Sequence, residues 1–281
     1  MKTRLLLIFF LAALTGVTAQ KKEKIKGNRE VVTKIYTLKP FHAIELGEDL
    51  HVLIKPAIDT VALELRADEN LHEVLEWHVS EGVLYLNTTK EIIKKKAFDI
   101  TLFVQKDLKG IKLFQSARVK TDGKLLFNSL TVETDEFAKA DLALQLQDTL
   151  QLRMKGKSKI ELDAGAPVHL YQMTDNARLK GVIDGKVLRF TADKSAQAEL
   201  GGGMKEINVE LVDKAEFNSG KLSAKKSALV RLADKTDAAL KGEGAGIEMH
   251  LSGKAHLHLS GDFKKYDLKT FTGNSSLTRE P

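Results

Sequence analysis

Ala177-Arg178-Leu179, Ala196-Gln197-Ala198 and Ala215-Glu216-Phe217 repeat one pattern: a small residue stands two positions before an apolar one, every 19 residues. Ala117-Arg118-Val119, Ala138-Lys139-Ala140 and Ser158-Lys159-Ile160 extend it towards the N-terminus, and Ala238-Ala239-Leu240 and Ala255-His256-Leu257 towards the C-terminus. Successive spacings are 21, 20, 19, 19, 19, 23 and 17. A second signal lies eight residues before most of these: Leu130-x-Val132, Leu150-x-Leu152, Leu188-x-Phe190, Ile207-x-Val209, Val230-x-Leu232 and Ile247-x-Met249. Repeats this short cannot bury a core singly, so they must stack into a solenoid. The apolar positions of the second signal alternate with polar ones, as strands with one wet face require. Turns such as Thr121-Asp122-Gly123-Lys124 and Ile183-Asp184-Gly185-Lys186 separate them. The expected fold is mostly β: a right-handed parallel β-helix of seven to nine coils with about 19–20 residues each. The recurring Ala or Ser then marks a tight inner corner. A leucine-rich repeat is disfavoured, because no Asn recurs at a fixed place and no helical period separates the strands.

Ahead of the repeats the chain reads in three parts. Met1-Lys2-Thr3-Arg4, the apolar run Leu5 to Val17 and Val17-Thr18-Ala19 have the layout of a secretory signal peptide over residues 1–20. The run is shorter than the ~20 apolar residues of a spanning helix. Residues 21–30 form a polar, flexible lead-in. Residues 31–107 form a β-rich N-terminal cap, with alternating segments at Phe41–Leu46, Leu50–Ile54 and Val61–Leu65 and one helix expected over Asp68–Trp77. Asp68 or Asn70 would cap that helix, and Leu71, Val74 and Leu75 would face the sheet. Glu91–Lys96 reads as an exposed loop. Residues 108–281 hold the coils and a C-terminal cap.

Composition narrows the function. The chain has 281 residues and no cysteine, which excludes disulfide scaffolds, thiolate metal sites and a lipidated N-terminal cysteine. Without its signal peptide it carries 42 basic and 38 acidic residues, a net charge of +4. One Trp, four Tyr and no recognised motif argue against nucleic acid as a partner of an exported chain. No apolar stretch after residue 20 is long enough to span a membrane as a helix, and no series of ~10-residue membrane strands follows residue 250.

The order of several short motifs resembles a known family. These are Gly27-Asn28-Arg29-Glu30-Val31-Val32-Thr33, Phe41-His42-Ala43-Ile44-Glu45-Leu46, Val52-Leu53-Ile54, Ala67-Asp68-Glu69-Asn70-Leu71, Glu81-Gly82-Val83-Leu84-Tyr85-Leu86, Leu108-Lys109-Gly110-Ile111 and Ser116-Ala117. Together they resemble the head GIN domain family over roughly residues 30–250. The resemblance implies an exported bacterial protein of a kind common in the Bacteroidota, described as an auto-transporter adhesin. It also implies a β-helix with a mixed N-terminal cap and a place in the cell envelope or outside the cell. The family has no established activity and offers no site residue to carry over.

Several chemistry-bearing residues stand out against that background. Asp135, Asp193, Asp213 and Asp234 recur after the second strand and could line one side of the stack, as a glycosidase or calcium site would need. Their recurrence instead fits turn-forming aspartates, because an active site occurs once and not once per coil. His256 and His258 share a strand face and His250 could stack on the previous coil, but a zinc site needs three or four convergent ligands. Gly201-Gly202-Gly203 lacks the Lys-Ser/Thr of a phosphate loop and reads as a corner. No catalytic, cofactor-binding or metal-ligating residue is therefore assigned, and no cofactor is expected. The leading expectation is an exported, non-enzymatic, adhesin-like module of the periplasm, outer surface or extracellular space, whose partner is a surface glycan or protein. The alternatives are a polysaccharide lyase or hydrolase on the same scaffold and a self-assembling structural envelope protein.

Overall fold

The computed structural model describes residues 22–280; the signal peptide expected over 1–20 lies outside them. The chain is a parallel β-helix of stacked coils, built almost wholly from strand. From Lys159–Met173 onward each coil is one long strand bent round the core, followed by a four-residue turn. Lys159–Met173 pairs in register with Arg178–Ala192, and this in turn with Gln197–Leu211. Each strand thus donates and accepts its backbone hydrogen bonds across coils, which leaves the inward side chains free to pack.

The stack begins earlier than the repeats do in sequence. Ala43–Leu46 pairs in parallel with Gly110–Leu113, and His51–Pro56 with Arg118–Thr121. These two segments, joined by the turn Gly47–Leu50, form the first rung. Antiparallel strands close the N-terminal end: Val31–Thr37 pairs with Ala62–Asp68, and the latter with Phe98–Val104. This covers the strand edges that an open stack would leave for aggregation. Lys24–Lys26, in the expected lead-in, pairs with Glu91–Lys94.

Two local expectations are corrected. The helix over Asp68–Trp77 is a single 3-10 turn, Glu69–Leu71, and Leu75–Ser80 is strand. Asp68 does not cap a helix through its side chain. Its carboxylate accepts hydrogen bonds from the backbone N–H groups of Arg29 (3.1 Å), Lys96 (3.1 Å) and Ala97 (2.9 Å) instead. It thereby ties the lead-in to the cap and ceases to be available as a helix cap. Leu71, Val74 and Leu75 are all buried, so the turn and strand satisfy the apolar spacing that suggested a helix. Glu91–Lys96 is likewise strand over Glu91–Lys94, not a loop.

The small corner residues are the fully buried Ala117, Ala138, Ser158, Ala177, Ala196, Ala215, Thr236 and Ala255. Thr236, not Ala238, occupies the seventh place, because Glu216 pairs with Asp237. Irregular spacings of 23 and 17 thereby become 21 and 19. Likewise Ile207 pairs with Ala228, so Ala228-x-Val230 replaces Val230-x-Leu232. Both shifts come from two extra residues in Glu216–Leu232, absorbed where the register slips near Gly220 and Lys225–Lys226. Thr236 fits the corner because its hydroxyl donates to Ala233 O at 3.0 Å.

Candidate binding surface

Nine of the turns, and the turn of the first rung, place one residue in the left-handed region. Down the stack these are Glu48, Gln115, Glu136, Gly156, Asp175, Lys194, Asp213, Asp234, Gly253 and Gly273, with φ between +54° and +74°. Seven of the ten have a Cβ, which makes this conformation costly unless the surroundings hold it. Stacking does so: the residue after each one donates its N–H to the carbonyl of the left-handed residue one coil earlier, as Lys157 does to Glu136 (2.6 Å) and Ser195 to Asp175 (2.8 Å). Side chains add to the hold. Asp175, Asp213 and Asp234 each accept from the backbone N–H of the left-handed residue before them, Gly156, Lys194 and Asp213, at 3.1, 3.1 and 3.3 Å. A hydrogen bond from the Lys194 ammonium, 2.6 Å away, and the Gly156 N–H hold the Asp175 carboxyl below its usual range.

This disposes of the expected line of aspartates. Asp213 and Asp234 are in the left-handed column, whereas Asp135 and Asp193 stand one position earlier in their turns. Asp135 accepts from Glu136 N at 2.6 Å and Asp193 from the Thr174 hydroxyl. All four are committed to turns, and Asp175 was the missing member of the column.

The histidines separate too. His256 and His258 share the strand after the turn, pairing with Asp237 and Ala239. His250 lies on the strand before it, 3.0 Å from Glu248 and 3.3 Å from Thr270. Among the described residues no group of three or more His, Asp or Glu converges as a metal site would require. Gly202 lies at a bend within Gln197–Leu211 with φ +106°, and a Cβ there would collide with the Ile183 carbonyl.

His169 and Tyr171 carry no mark in the sequence as a pair. They are buried inside the stack, with His169 Nδ1 2.7 Å from the Tyr171 hydroxyl and Nε2 3.2 Å from Asp184 O. Register places them in line with Leu150-x-Leu152 and Leu188-x-Phe190, so they are the fifth coil's version of the second signal. Burial lowers the His169 pKa and pushes that of Tyr171 well up.

What the stack presents to solvent is a set of straight columns. Three residues before the first four left-handed residues, the side chains run Glu45, Lys112, Glu133, Arg153. Their charges alternate, and the ion pairs are Glu45–Lys112 at 3.0 Å and Glu133–Arg153 at 2.5 Å. Three residues after the first eight they run His51, Arg118, Lys139, Lys159, Arg178, Gln197, Glu216, Asp237. Four cations thus follow one another on adjacent coils, about 4.8 Å apart at the backbone. All four are exposed, and none is ion-paired among the described residues. They were visible in sequence as the middle residues of the first four repeat triplets. Arg118, Lys139 and Lys159 edge a recess of about 900 Å³ that the cap lines at Lys95 and Phe98, where the Lys95 ammonium lies 5.3 Å from the Phe98 ring centroid; Arg178 follows one coil beyond it.

A family described as "Putative auto-transporter adhesin, head GIN domain" matches residues 40–167. No curated protein sequence matches the chain. Among solved structures, a "Putative lipid binding protein" from Parabacteroides distasonis is similar at 15% identity, TM-score 0.62, covering 92% of this chain and 100% of its own. A "putative adhesin" from Parabacteroides merdae is similar at 16% identity, TM-score 0.59, with the same coverage. One from Bacteroides fragilis is 17% identical, TM-score 0.51, covering 91% and 100%. Likeness at these identities shows the shared fold. No helix among the described residues is long and apolar enough to cross a membrane.

Proposed function

We propose, for a chain whose residues 40–167 match the head GIN domain family, that it is an exported, non-enzymatic, adhesin-like module of the bacterial cell envelope or extracellular surface. One observation carries this reading: outward side chains repeat in straight columns along ten left-handed turns, about 43 Å of stack at strand spacing. A rigid array of evenly spaced polar groups suits many weak contacts with an extended partner better than one deep pocket does. The partner in this reading is a surface glycan or protein. Export rests on the signal-peptide layout of residues 1–20. The test is an array of surface glycans and cell-envelope proteins run alongside a polysaccharide turnover panel. Binding without bond cleavage is expected, and cleavage of any bound polysaccharide would replace this reading with the hydrolase or lyase alternative.

A second reading has its own observation. Among the described residues, the latter part of His256–Phe271 has no strand stacked upon it, since Ser276–Arg279 pairs only with His256–Leu259. Tyr266, Leu268 and Phe271 are exposed there. This end could join another copy. Sedimentation that shows larger species with rising concentration, lost in Leu268→Lys/Phe271→Lys, would support end-to-end assembly, and a monomer at all concentrations would remove it.

A further inference from the structure

We propose that the recess lined by Arg118, Lys139 and Lys159, continued one coil further by Arg178, binds a linear acidic polysaccharide, lying along the stack with its carboxylates or sulfates on the four cations. The proposal rests on the binding-module reading and names its ligand class.

The column is the observation that needs an account. Like charges facing each other on adjacent strands repel, and only salt screening or a bound counter-charge relieves the repulsion. The equivalent column on the other side of the turn avoids this repulsion by alternating, with its ion pairs at 3.0 and 2.5 Å. None of the four cations is ion-paired among the described residues, so their charges are available to a ligand. The column is straight and spans about 15 Å at strand spacing, which fits a linear polymer rather than a single small anion.

The neighbouring column indicates which polyanion. It carries Lys120, Asp141, Glu161, Lys180 and Glu199; Lys120 pairs with Asp141 at 3.0 Å and Lys180 with Glu199 at 3.2 Å, which leaves the Glu161 carboxylate, between Lys139 and Arg178, without an ion pair among the described residues. Carboxylates beside the cations would repel a densely charged chain. They would accept hydrogen bonds from hydroxyls, which a chain with one acid group per sugar supplies between its charges. A peptide is less suited, because strand addition needs an unpaired edge and the strands flooring the recess are paired on both sides. A membrane is less suited because three of the cations, Arg118, Lys139 and Lys159, line a recess shared with Lys95 and Phe98 of the cap, not a protruding face.

The experiment measures binding of the purified protein to polygalacturonate, fully methyl-esterified polygalacturonate, polyglutamate and phosphatidylglycerol vesicles, each at low and high salt. Polygalacturonate is expected to bind at least tenfold more tightly than its neutral ester. Lys139→Gln/Lys159→Gln should weaken that binding at least tenfold with an unchanged circular dichroism spectrum, whereas Lys112→Gln/Arg153→Gln should stay within twofold. Equal binding of the ester, or indifference to Lys139 and Lys159, overturns the proposal. So does polyglutamate or vesicle binding as tight as polygalacturonate and equally dependent on those lysines. Neutral glycan binding that ignores the column would sink this inference and leave the binding-module reading standing. Cleavage of column-bound polygalacturonate would do the reverse.

Discussion

Two columns of side chains stand three residues before and three residues after the left-handed turns, on overlapping coils that share the turns at Gln115, Glu136 and Gly156. Before the turn, Glu45, Lys112, Glu133 and Arg153 alternate in sign and pair. After it, Arg118, Lys139, Lys159 and Arg178 share one sign and do not pair. The backbone is parallel and in register in both places, so the scaffold does not dictate the difference. Stacking only sets the spacing, and the sequence then chooses between self-neutralisation and a displayed field. The first choice stabilises the molecule slightly. The second gives up that gain and leaves charge for something outside the molecule.

The widest perturbation breaks the frame both columns depend on. Gly156 lies between them with φ +66°, and a Cβ there would come within 2.6 Å of Glu136 N. Gly156→Val adds a β-branched side chain where backbone and space both oppose it. A loss of about 2–3 kcal/mol is expected in denaturant unfolding, and an unchanged midpoint would show that the turn column is not rigid.

A reciprocal exchange of sign separates the columns. Glu133→Lys places a third cation between Lys112 and Arg153 and removes the Arg153 pair. It should cost about 0.5–1 kcal/mol at low salt. Lys139→Glu sets an anion between Arg118 and Lys159, so that this column alternates as well, and should stabilise by a similar or smaller amount. Both effects should shrink towards zero in about 1 M NaCl, where the Debye length falls to ~3 Å. Shifts of the same sign for the two variants would contradict the contrast drawn between the columns.

The smallest expected effect is a control from the interior. Burial lowers the folded-state pKa of His169, so the unfolded chain binds the proton more readily. The stability tied to His169 is therefore complete above the ordinary imidazole range, about pH 6.5, and is lost as pH falls below it towards the folded value. The slope should stay under the one-proton limit of about 1.4 kcal/mol per pH unit. His169→Leu/Tyr171→Phe restores the apolar pair of the neighbouring coils and should flatten this part of the profile. A slope that survives the double substitution would have to come from a group other than His169.

The solenoid was legible because its periodic residues face a shared interior. Ala117, Ala138, Ala177, Ala196 and Ala215 recur at a fully buried corner that also takes Ser158 and Thr236, and a sequence period records that directly. The errors arose where one position satisfies a pattern for another reason. Ala238 imitates the corner residue because an alternating strand offers small and apolar residues at every second place, so a two-residue insertion moved the frame without breaking the pattern. Leu71, Val74 and Leu75 have helical spacing, but Asp68 is drawn into hydrogen bonds with N–H groups 28 to 39 residues away in the chain, which no local rule can foresee. His169 and Tyr171 were invisible as core residues because each looks polar alone, and their mutual hydrogen bond, with that of His169 to Asp184 O, makes them suitable for the interior. The cation column was in plain view but needed register to acquire meaning. Arg118, Lys139, Lys159 and Arg178 are about twenty residues apart along the chain, and only stacking makes them neighbours.

The two extra residues in Glu216–Leu232 have a wider consequence. The register slips where they enter, yet Leu211 still meets Leu232 and Leu232 meets Leu251 as though nothing had been added. The stack thus behaves like a ruler whose marks keep their spacing when material is inserted between them. A segment grafted at Lys225–Lys226 would project from one rung while the columns above and below held their pitch. Coils of this kind can therefore gain decorations singly, and the surface that displays them remains in alignment.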